Sequence, residues 1–177
     1  MTDEPVAAGK VSKRISCSLL LCLLLVGSSP ASDGWVVRED GVGPVKIGMT
    51  LAQLSAALHQ ELAADERDEQ GCFYINARGH DHVSFMIIDG HVQRVDVGAP
   101  GVKTSTGIQV GDSEAHAREV YGSKMKVMGH QYIDTGDYLT ARSSDGRYGV
   151  RFETDKGKII DFYAGTYDAI QYVEGCQ

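Results

Sequence analysis

The sequence lacks the motifs that mark several large classes of enzymes. It contains no strand–Gly-x-Ser-x-Gly–helix segment, which positions the nucleophile of many hydrolases, and no glycine-rich phosphate-binding loop. Its glycines fall at predicted turns and helix ends, where backbone geometry accounts for them. The carboxylate-rich stretch 65–70 is predicted to be a solvated loop. We therefore predict a protein that is not an enzyme and that needs no cofactor.

Positive charge is also scarce. The 177 residues include 17 lysines and arginines against 24 aspartates and glutamates, a net charge of −7. Removal of the predicted leader described below takes away three basic and two acidic residues, which leaves about −8. Nucleic acids and anionic membrane surfaces require clustered lysine and arginine, so both are excluded as partners. The acidic balance suits solubility or a basic protein partner.

No apolar run is long enough to span a membrane. The run 19–26 follows Lys10, Lys13 and Arg14 and precedes small residues, which is typical of a secretory signal peptide. We predict residues 1–31 as the signal peptide and a mature protein without a membrane span, periplasmic or secreted. Three alternatives stay open: an N-terminal membrane anchor, lipidation at Cys17 or Cys22, and translation from Val11.

Two cysteines, Cys72 and Cys176, remain after cleavage, and no CxxC spacing occurs. This absence argues against a redox or metal role for the pair. In an oxidising compartment an even pair so far apart predicts a disulfide. His80, His82 and His91 lie close to one hairpin, but we interpret them as exposed side chains and predict no metal site.

One pattern occurs twice in the sequence. Residues 47–54 and 110–117 both read as an apolar residue, glycine, any residue, a hydroxyl residue and a helix-like run. Thr50 and Ser113 are predicted to cap helices over 51–63 and 114–121, with Gly122 ending the second. A β-hairpin pattern follows each copy, with Gly90 and Gly157 at the turns. Self-similarity of this kind indicates one supersecondary unit used twice.

The hairpins are predicted with three-residue connections. In the first, Phe85 faces Gln93 and Val83 faces Val95. The apolar alternation of this hairpin predicts one buried face, formed by Val83, Phe85, Ile87, Val95 and Val97. In the second, Phe152 faces Ile160 and Arg151 faces Asp161 as an ion pair. A further hairpin is predicted around the polar turn 134–137, with arms 130–133 and 138–142.

These patterns predict an α+β fold of two tandem units, 32–103 and 104–177, the second including a C-terminal tail. Each unit is expected to be one helix packed on a three- to four-stranded antiparallel sheet. A unit of about 65 residues is marginal alone, because its surface is large for its core.

This arrangement resembles the β-lactamase inhibitor protein fold, which has two tandem α/β units. It is also similar to the outer-membrane assembly lipoproteins of the SmpA/OmlA type, the BamE family, which have one. Segments 47–50 and 110–113 and the hairpins at Gly90 and Gly157 carry the resemblance. It implies a fold and carries no contact residue over to this chain.

The predicted function is that of an exported protein that binds another macromolecule through a sheet or hairpin surface. A protein is the leading partner, and inhibition of that protein is one form of this interpretation. Tyr132, Asp134, Asp137 and Tyr138 are the predicted centre of that surface, because tyrosines beside acidic residues suit protein interfaces. The alternatives are an envelope structural or assembly protein and a periplasmic protein that binds a small ligand or a metal. The sequence does not indicate an oligomeric state.

Overall fold

A computed structural model describes residues 1–2, 34–62 and 71–176. The described part is mostly β, with eleven strands and two short α-helices. In chain order these are β1 (Val36–Arg38), β2 (Gly41–Val42), β3 (Val45–Lys46), α1 (Leu51–Leu58), β4 (Cys72–Asn76), β5 (Val83–Ile88), β6 (His91–Val97), β7 (Lys103–Thr104), α2 (Glu114–Tyr121), β8 (Met125–Gly129), β9 (Asp137–Arg142), β10 (Tyr148–Asp155) and β11 (Lys158–Thr166). Single 3₁₀ turns follow α2 and β11.

The strands of the described residues form two sheets. Seven strands make one antiparallel sheet in the order β4-β5-β6-β11-β10-β9-β8, and four short strands make a second in the order β3-β2-β1-β7. The predicted fold class, two helix-on-sheet units, is therefore wrong. Strands β6 and β11, one from each predicted unit, pair at the centre of the large sheet, for example Phe162 with Val97. This non-local pairing joins both halves into one layer.

The helices are too short to cover a sheet each. Each has eight residues, and only Leu54 of α1 and Ala117 of α2 are fully buried. The predicted caps are confirmed: Thr50 and Gln53 form a capping box, and the Ser113 hydroxyl accepts from the backbone of the second helix. Helix α1 ends five residues before its predicted end, because the residue after Leu58 adopts a left-handed conformation.

Two-residue turns, not three-residue ones, connect the long hairpins. Asp89 and Gly90 have φ of 51° and 78°, and Lys156 and Gly157 have φ of 48° and 72°. Positive φ at both central residues is the type I′ geometry that matches the twist of paired strands. The predicted registers are therefore wrong, and a register shift in each hairpin offsets them further. Phe85 faces Val95, and Phe152 faces Phe162.

One face of the large sheet, the inner face, packs against both helices and the small sheet in a shared apolar core. The inward residues of β5 and β6 were predicted from their alternation and are confirmed as buried: Val83, Phe85, Ile87, Val95 and Val97. The opposite, outer face carries the C-terminal segment and a smaller apolar cluster that includes Cys72, Met86 and Ala169.

The segments that share a sequence pattern also share a local connection. The Gly48 N–H donates to the Val92 carbonyl at 2.7 Å, and the Gly111 N–H donates to the Ile159 carbonyl at 2.8 Å. Each contact ties the residues before a helix to the strand that follows a type I′ turn. The similarity thus corresponds to a repeated connection to the sheet, and not to two separate helix-on-sheet layers.

None of the helices in residues 34–62 and 71–176 is long and apolar enough to cross a membrane. The predicted signal peptide beyond residue 2, the two cysteines within it and the loop 65–70 lie outside the described residues.

Candidate functional site

The structure does not bring the four predicted surface residues into one exposed patch. Tyr132 is 57% exposed and Asp134 is exposed, but Asp137 is partly buried and forms an ion pair of 3.2 Å with Arg118. Tyr138 is only 2% exposed, because the His130 ring stacks on it with ring centroids 4.3 Å apart. Tyr138 therefore belongs to the interior, and a partner cannot contact it directly.

The predicted hairpin around 134–137 is also arranged differently. Its first arm is β8, and residues 130–136 form the connection to β9. The His130 side chain replaces strand pairing there: its Nδ1 accepts from the backbone N–H groups of Tyr132 and Ile133 at 3.1 and 3.2 Å. Nε2 then carries the proton and donates to Glu153 Oε2 at 3.0 Å. This histidine anchors the 130–136 loop to the outer face of the sheet.

The outer face holds a cavity of about 360 Å³ between the sheet and the C-terminal tail, which we define as residues 167–176. We call it the outer-face pocket. Strands β4, β6, β10 and β11 and the tail supply its lining, which consists of Tyr74, Arg94, Asp96, Glu153, Asp161, Tyr163, Val173, Glu174, Gly175 and Cys176. Four of these residues are acidic and one is an arginine, so the pocket carries excess negative charge.

Arg94 is the organising cation of the pocket and is 4% exposed. Its guanidinium forms a 2.8 Å ion pair with Asp96 and lies 4.2 Å from the centre of the Tyr163 ring. It also donates to the Tyr74 hydroxyl at 2.7 Å and to the Tyr172 carbonyl at 2.7 Å. One buried guanidinium therefore neutralises Asp96 and fixes the tail on the sheet.

Glu153 is satisfied by two neutral donors. The Tyr163 hydroxyl donates to its Oε1 at 2.9 Å, and His130 donates to its Oε2. Burial, with the Glu153 charge nearby, raises the pKa of Tyr163, so this phenol stays protonated and acts as a donor. The Glu153 carboxylate is thus held in place by the two side chains that flank it.

Asp161 is the exception among the sheet carboxylates. It neighbours Glu153 across the hairpin, and no hydrogen bond from a residue in the described part of the chain stabilises its charge. Burial, followed by the nearby charges of Asp96 and Glu153, raises the pKa of Asp161 to about 8. The predicted ion pair with Arg151 does not form, because Arg151 lies opposite Tyr163 and bonds to Thr140 instead.

This shift predicts that stability falls as pH rises. In the unfolded chain the carboxyl loses its proton near its ordinary pKa of 3.8, whereas the folded protein retains it up to about pH 8. The folded state then binds one more proton between these values, so stability is greatest below them and declines through this window. Melting temperatures measured from pH 4 to 9 should fall less steeply for Asp161→Asn than for the wild type. Melting temperatures that fall equally with pH in both proteins would contradict the raised pKa of Asp161.

The tail is closed over the pocket by the Cys72–Cys176 disulfide, which is confirmed, with Cα atoms 5.3 Å apart. The Tyr132 hydroxyl also donates to Glu174 on the tail. Gly175 has φ of 69°, and a Cβ there would lie 2.7 Å from the Tyr74 hydroxyl oxygen, so this close approach requires glycine. The tail, the edge strand β4 and the 130–136 loop thus meet around one cavity.

Two of the three histidines considered for a metal site, His80 and His91, make other contacts, and His82 is exposed. His80 stacks on Trp35 with ring centroids 3.7 Å apart, and His91 Nδ1 lies 2.9 Å from the Asp89 carbonyl oxygen. Within residues 34–62 and 71–176, no group of three or more histidine, cysteine or acidic side chains is arranged to hold a metal ion.

A larger cavity of about 480 Å³ opens between the two sheets and has a different character. Hydroxyl groups dominate its lining: Thr104, Ser105, Thr106, Tyr121, Ser143, Ser144 and Tyr148. Its arginines have acidic partners, Arg38 with Asp40 at 3.6 Å and Arg147 with Asp145 at 2.7 Å. A neutral polar ligand would suit this cleft, and the alternative of small-ligand binding stays a prediction.

Sequence reasoning missed most of the outer-face pocket. Arg94, Asp96, Glu153 and Asp161 were not predicted as site residues, although their alternation with buried apolar residues was visible. A strand that is apolar on one face and carries both charge signs on the other usually has a solvated second face. Only the tail, which returns over this face, turns the pattern into a pocket.

No protein-family model and no curated protein sequence matches the chain. Solved structures that resemble it include an extracellular protein containing a SCP domain from Bacillus anthracis str. Ames, with 13% identity, a TM-score of 0.49 and coverage of 93% of this chain and 52% of that one. Another is a cysteine-rich secretory protein from Staphylococcus aureus subsp. aureus Mu50, with 12% identity, a TM-score of 0.44 and coverage of 74% and 48%. The chain spans about half the length of each. At these values the likeness carries no argument about function.

The resemblance to the β-lactamase inhibitor protein fold and to the BamE family is wrong. A single seven-stranded sheet replaces the two helix-on-sheet units on which the resemblance depended. The disulfide is typical of a protein exported to an oxidising compartment, as predicted.

Proposed function

We propose that this exported protein, periplasmic or secreted, is a non-enzymatic binding protein that receives a positively charged side chain of a protein partner in the outer-face pocket. The observation that carries the proposal is Asp161, a partly buried carboxyl that faces the pocket and has no hydrogen-bond or ion-pair partner in the described part of the chain. The other sheet carboxylates are occupied, Asp96 by Arg94 and Glu153 by Tyr163 and His130.

A cation is the ligand group that the electrostatics favour. A lysine or arginine side chain beside Asp161 would stabilise its ionised form, which burial and the charges of Asp96 and Glu153 otherwise disfavour. Charge-assisted hydrogen bonds in such a partly desolvated site are stronger than those between neutral groups. The acidic balance of the whole chain would attract a basic partner over longer distances.

A protein supplies the rest of the interface in this proposal. Tyr132 contacts the tail and is 57% exposed, and Tyr172 lies on the tail and is 50% exposed. Exposed tyrosines contribute large contact area at protein interfaces for little loss of conformational freedom. Of the predicted surface residues, Tyr132 is therefore part of the proposed interface. The buried Tyr138 is not, and the pocket residues take its place.

A lysine pentapeptide is a suitable probe, because it presents the proposed cation without a defined fold. Its affinity, measured by calorimetry, should rise between pH 6 and 8, since binding requires Asp161 to lose its proton. Asp161→Asn should weaken binding by at least about tenfold, a difference of ~1.4 kcal/mol, and remove this pH dependence. Tyr132→Ala should weaken it less and leave the melting temperature nearly unchanged.

Glu119→Gln is the matched control, because Glu119 is an exposed carboxylate on α2, which packs on the inner side of the sheet. It removes one exposed carboxylate outside the outer-face pocket and should leave peptide affinity unchanged. Equal losses in Asp161→Asn and Glu119→Gln would show that the peptide senses only net charge. That result, or pH-independent binding by the wild type, would refute the pocket as the binding site.

A further inference from the structure

The last strand of the large sheet, β8, has one edge without a partner among the residues that the structure describes. Its only pairing there is with β9. Val127 is 40% exposed and Met128 is 59% exposed, although neighbouring side chains point to opposite faces of a sheet. Proteins commonly protect such edges with charge, and Lys126 is the single charged residue in β8. The edge is therefore apolar on both faces and open to a further strand.

A bond in the adjacent loop shows which backbone groups face outward. The His130 N–H donates to the Gly136 carbonyl at 3.0 Å, in register with the pairs of β8 and β9. Hydrogen-bonded and non-hydrogen-bonded pairs alternate in antiparallel strands. Lys126 and Met128 therefore bond to β9, and Val127 directs its N–H and carbonyl away from the sheet.

We propose that this edge binds β8 of a second copy of the chain, antiparallel to the first and related by a twofold axis at Val127. The two Val127 residues then exchange both of their outward backbone hydrogen bonds. The Met125 carbonyl faces the partner's Gly129 N–H, while the Met125 N–H already donates to the Gly122 carbonyl. The two large sheets become one continuous sheet, and the proposal does not depend on the outer-face pocket.

The charges favour a second copy in this orientation. Lys124 and Lys126 lie at the start of the strand, and the acidic residues Asp134 and Asp137 lie around its other end. Antiparallel pairing places the basic end of each copy beside the acidic end of the other, whereas parallel pairing would place the lysines together. In the proposed register Lys126 faces the partner's Met128, so no lysine lies opposite a lysine.

The test uses the purified protein and sedimentation analysis over a range of concentrations. The wild type should form a concentration-dependent dimer. Val127→Pro removes an outward N–H without removing a bond to β9, and proline is tolerated on edge strands, so it should abolish the dimer. Val127→Thr keeps the N–H and strand propensity and should still dimerise.

Two substitutions of opposite charge at Met128 keep the test decisive if Val127→Pro fails to fold. Met128→Lys places lysines opposite one another at two symmetric positions and should weaken the dimer by about tenfold, whereas Met128→Glu should strengthen it. Met128 is exposed, so neither change should affect the melting of the monomer. A wild type that stays monomeric, or a dimer that responds equally to both substitutions, would overturn the proposal.

Discussion

Replacing Arg94 with methionine is expected to reduce the free energy of unfolding by about 3–5 kcal/mol, because it leaves the partly buried Asp96 carboxylate without its cation. Methionine retains most of the side-chain volume, so little of the loss would come from a cavity. The Tyr172 carbonyl and the Tyr74 hydroxyl lose a donor at the same time. Urea denaturation of the variant and the wild type measures the effect.

Arg142→Met is the matched control for this prediction. Arg142 also stacks on a tyrosine, 3.9 Å from the Tyr167 ring centre, but it is exposed, and within residues 34–62 and 71–176 its side chain bonds only to the Gly146 carbonyl. Its loss should cost less than about 1 kcal/mol.

The double change Arg94→Met with Asp96→Asn should recover part of the stability, because it removes the uncompensated charge. A double variant no more stable than Arg94→Met would contradict this account.

The features predicted well from the sequence are those determined by nearby residues. Thr50 and Ser113 cap helices through bonds to residues three positions away, so the pattern alone identifies them. The inward faces of β5 and β6 follow from alternation because one face of the sheet is buried against the core. The disulfide was also predictable, since Cys72 and Cys176 are the two cysteines outside the predicted signal peptide.

The registers of the hairpins were less accessible to sequence reasoning. A turn of two residues and a turn of three both place glycine near the tip, and they differ by one position in register. The register shifts at Met86/Ile87 and Glu153/Thr154 then move one strand relative to its neighbour. Because these shifts arise from twist and packing across several strands, the local sequence does not reveal them.

The site could not be predicted because distant segments build it. Tyr138 stands next to a polar turn, and nothing near it in sequence indicates that the His130 ring covers it. The pKa of Asp161 is raised because burial and the charges of Asp96 and Glu153 act on this carboxyl together. The central pairing of β6 with β11 joins residues about 65 positions apart, and the tail then covers the result. Pairings of this range are not encoded in periodicity.

Removing the Cys72–Cys176 disulfide is expected to reduce stability by about 2–5 kcal/mol. The cysteines are 104 residues apart, so the bond closes a loop that includes every strand from β4 to β11. Chain-entropy models assign up to ~4.7 kcal/mol to a loop of this length. For a protein of this size the melting temperature should fall by roughly 5–15 °C.

Two independent perturbations test the disulfide prediction. Calorimetry of the reduced wild type and of the double variant Cys72→Ser with Cys176→Ser should give the same lowered melting temperature. A chain truncated after Tyr172 separates the two sources of the loss, because it removes the bond together with the contacts of residues 173–176. If its melting temperature equals that of the double variant, the disulfide stabilises the protein by restricting the unfolded chain. If it melts lower, contacts such as Tyr132 with Glu174 hold the tail even without the bond. Equal melting of oxidised and reduced protein would show that the disulfide does not stabilise this fold.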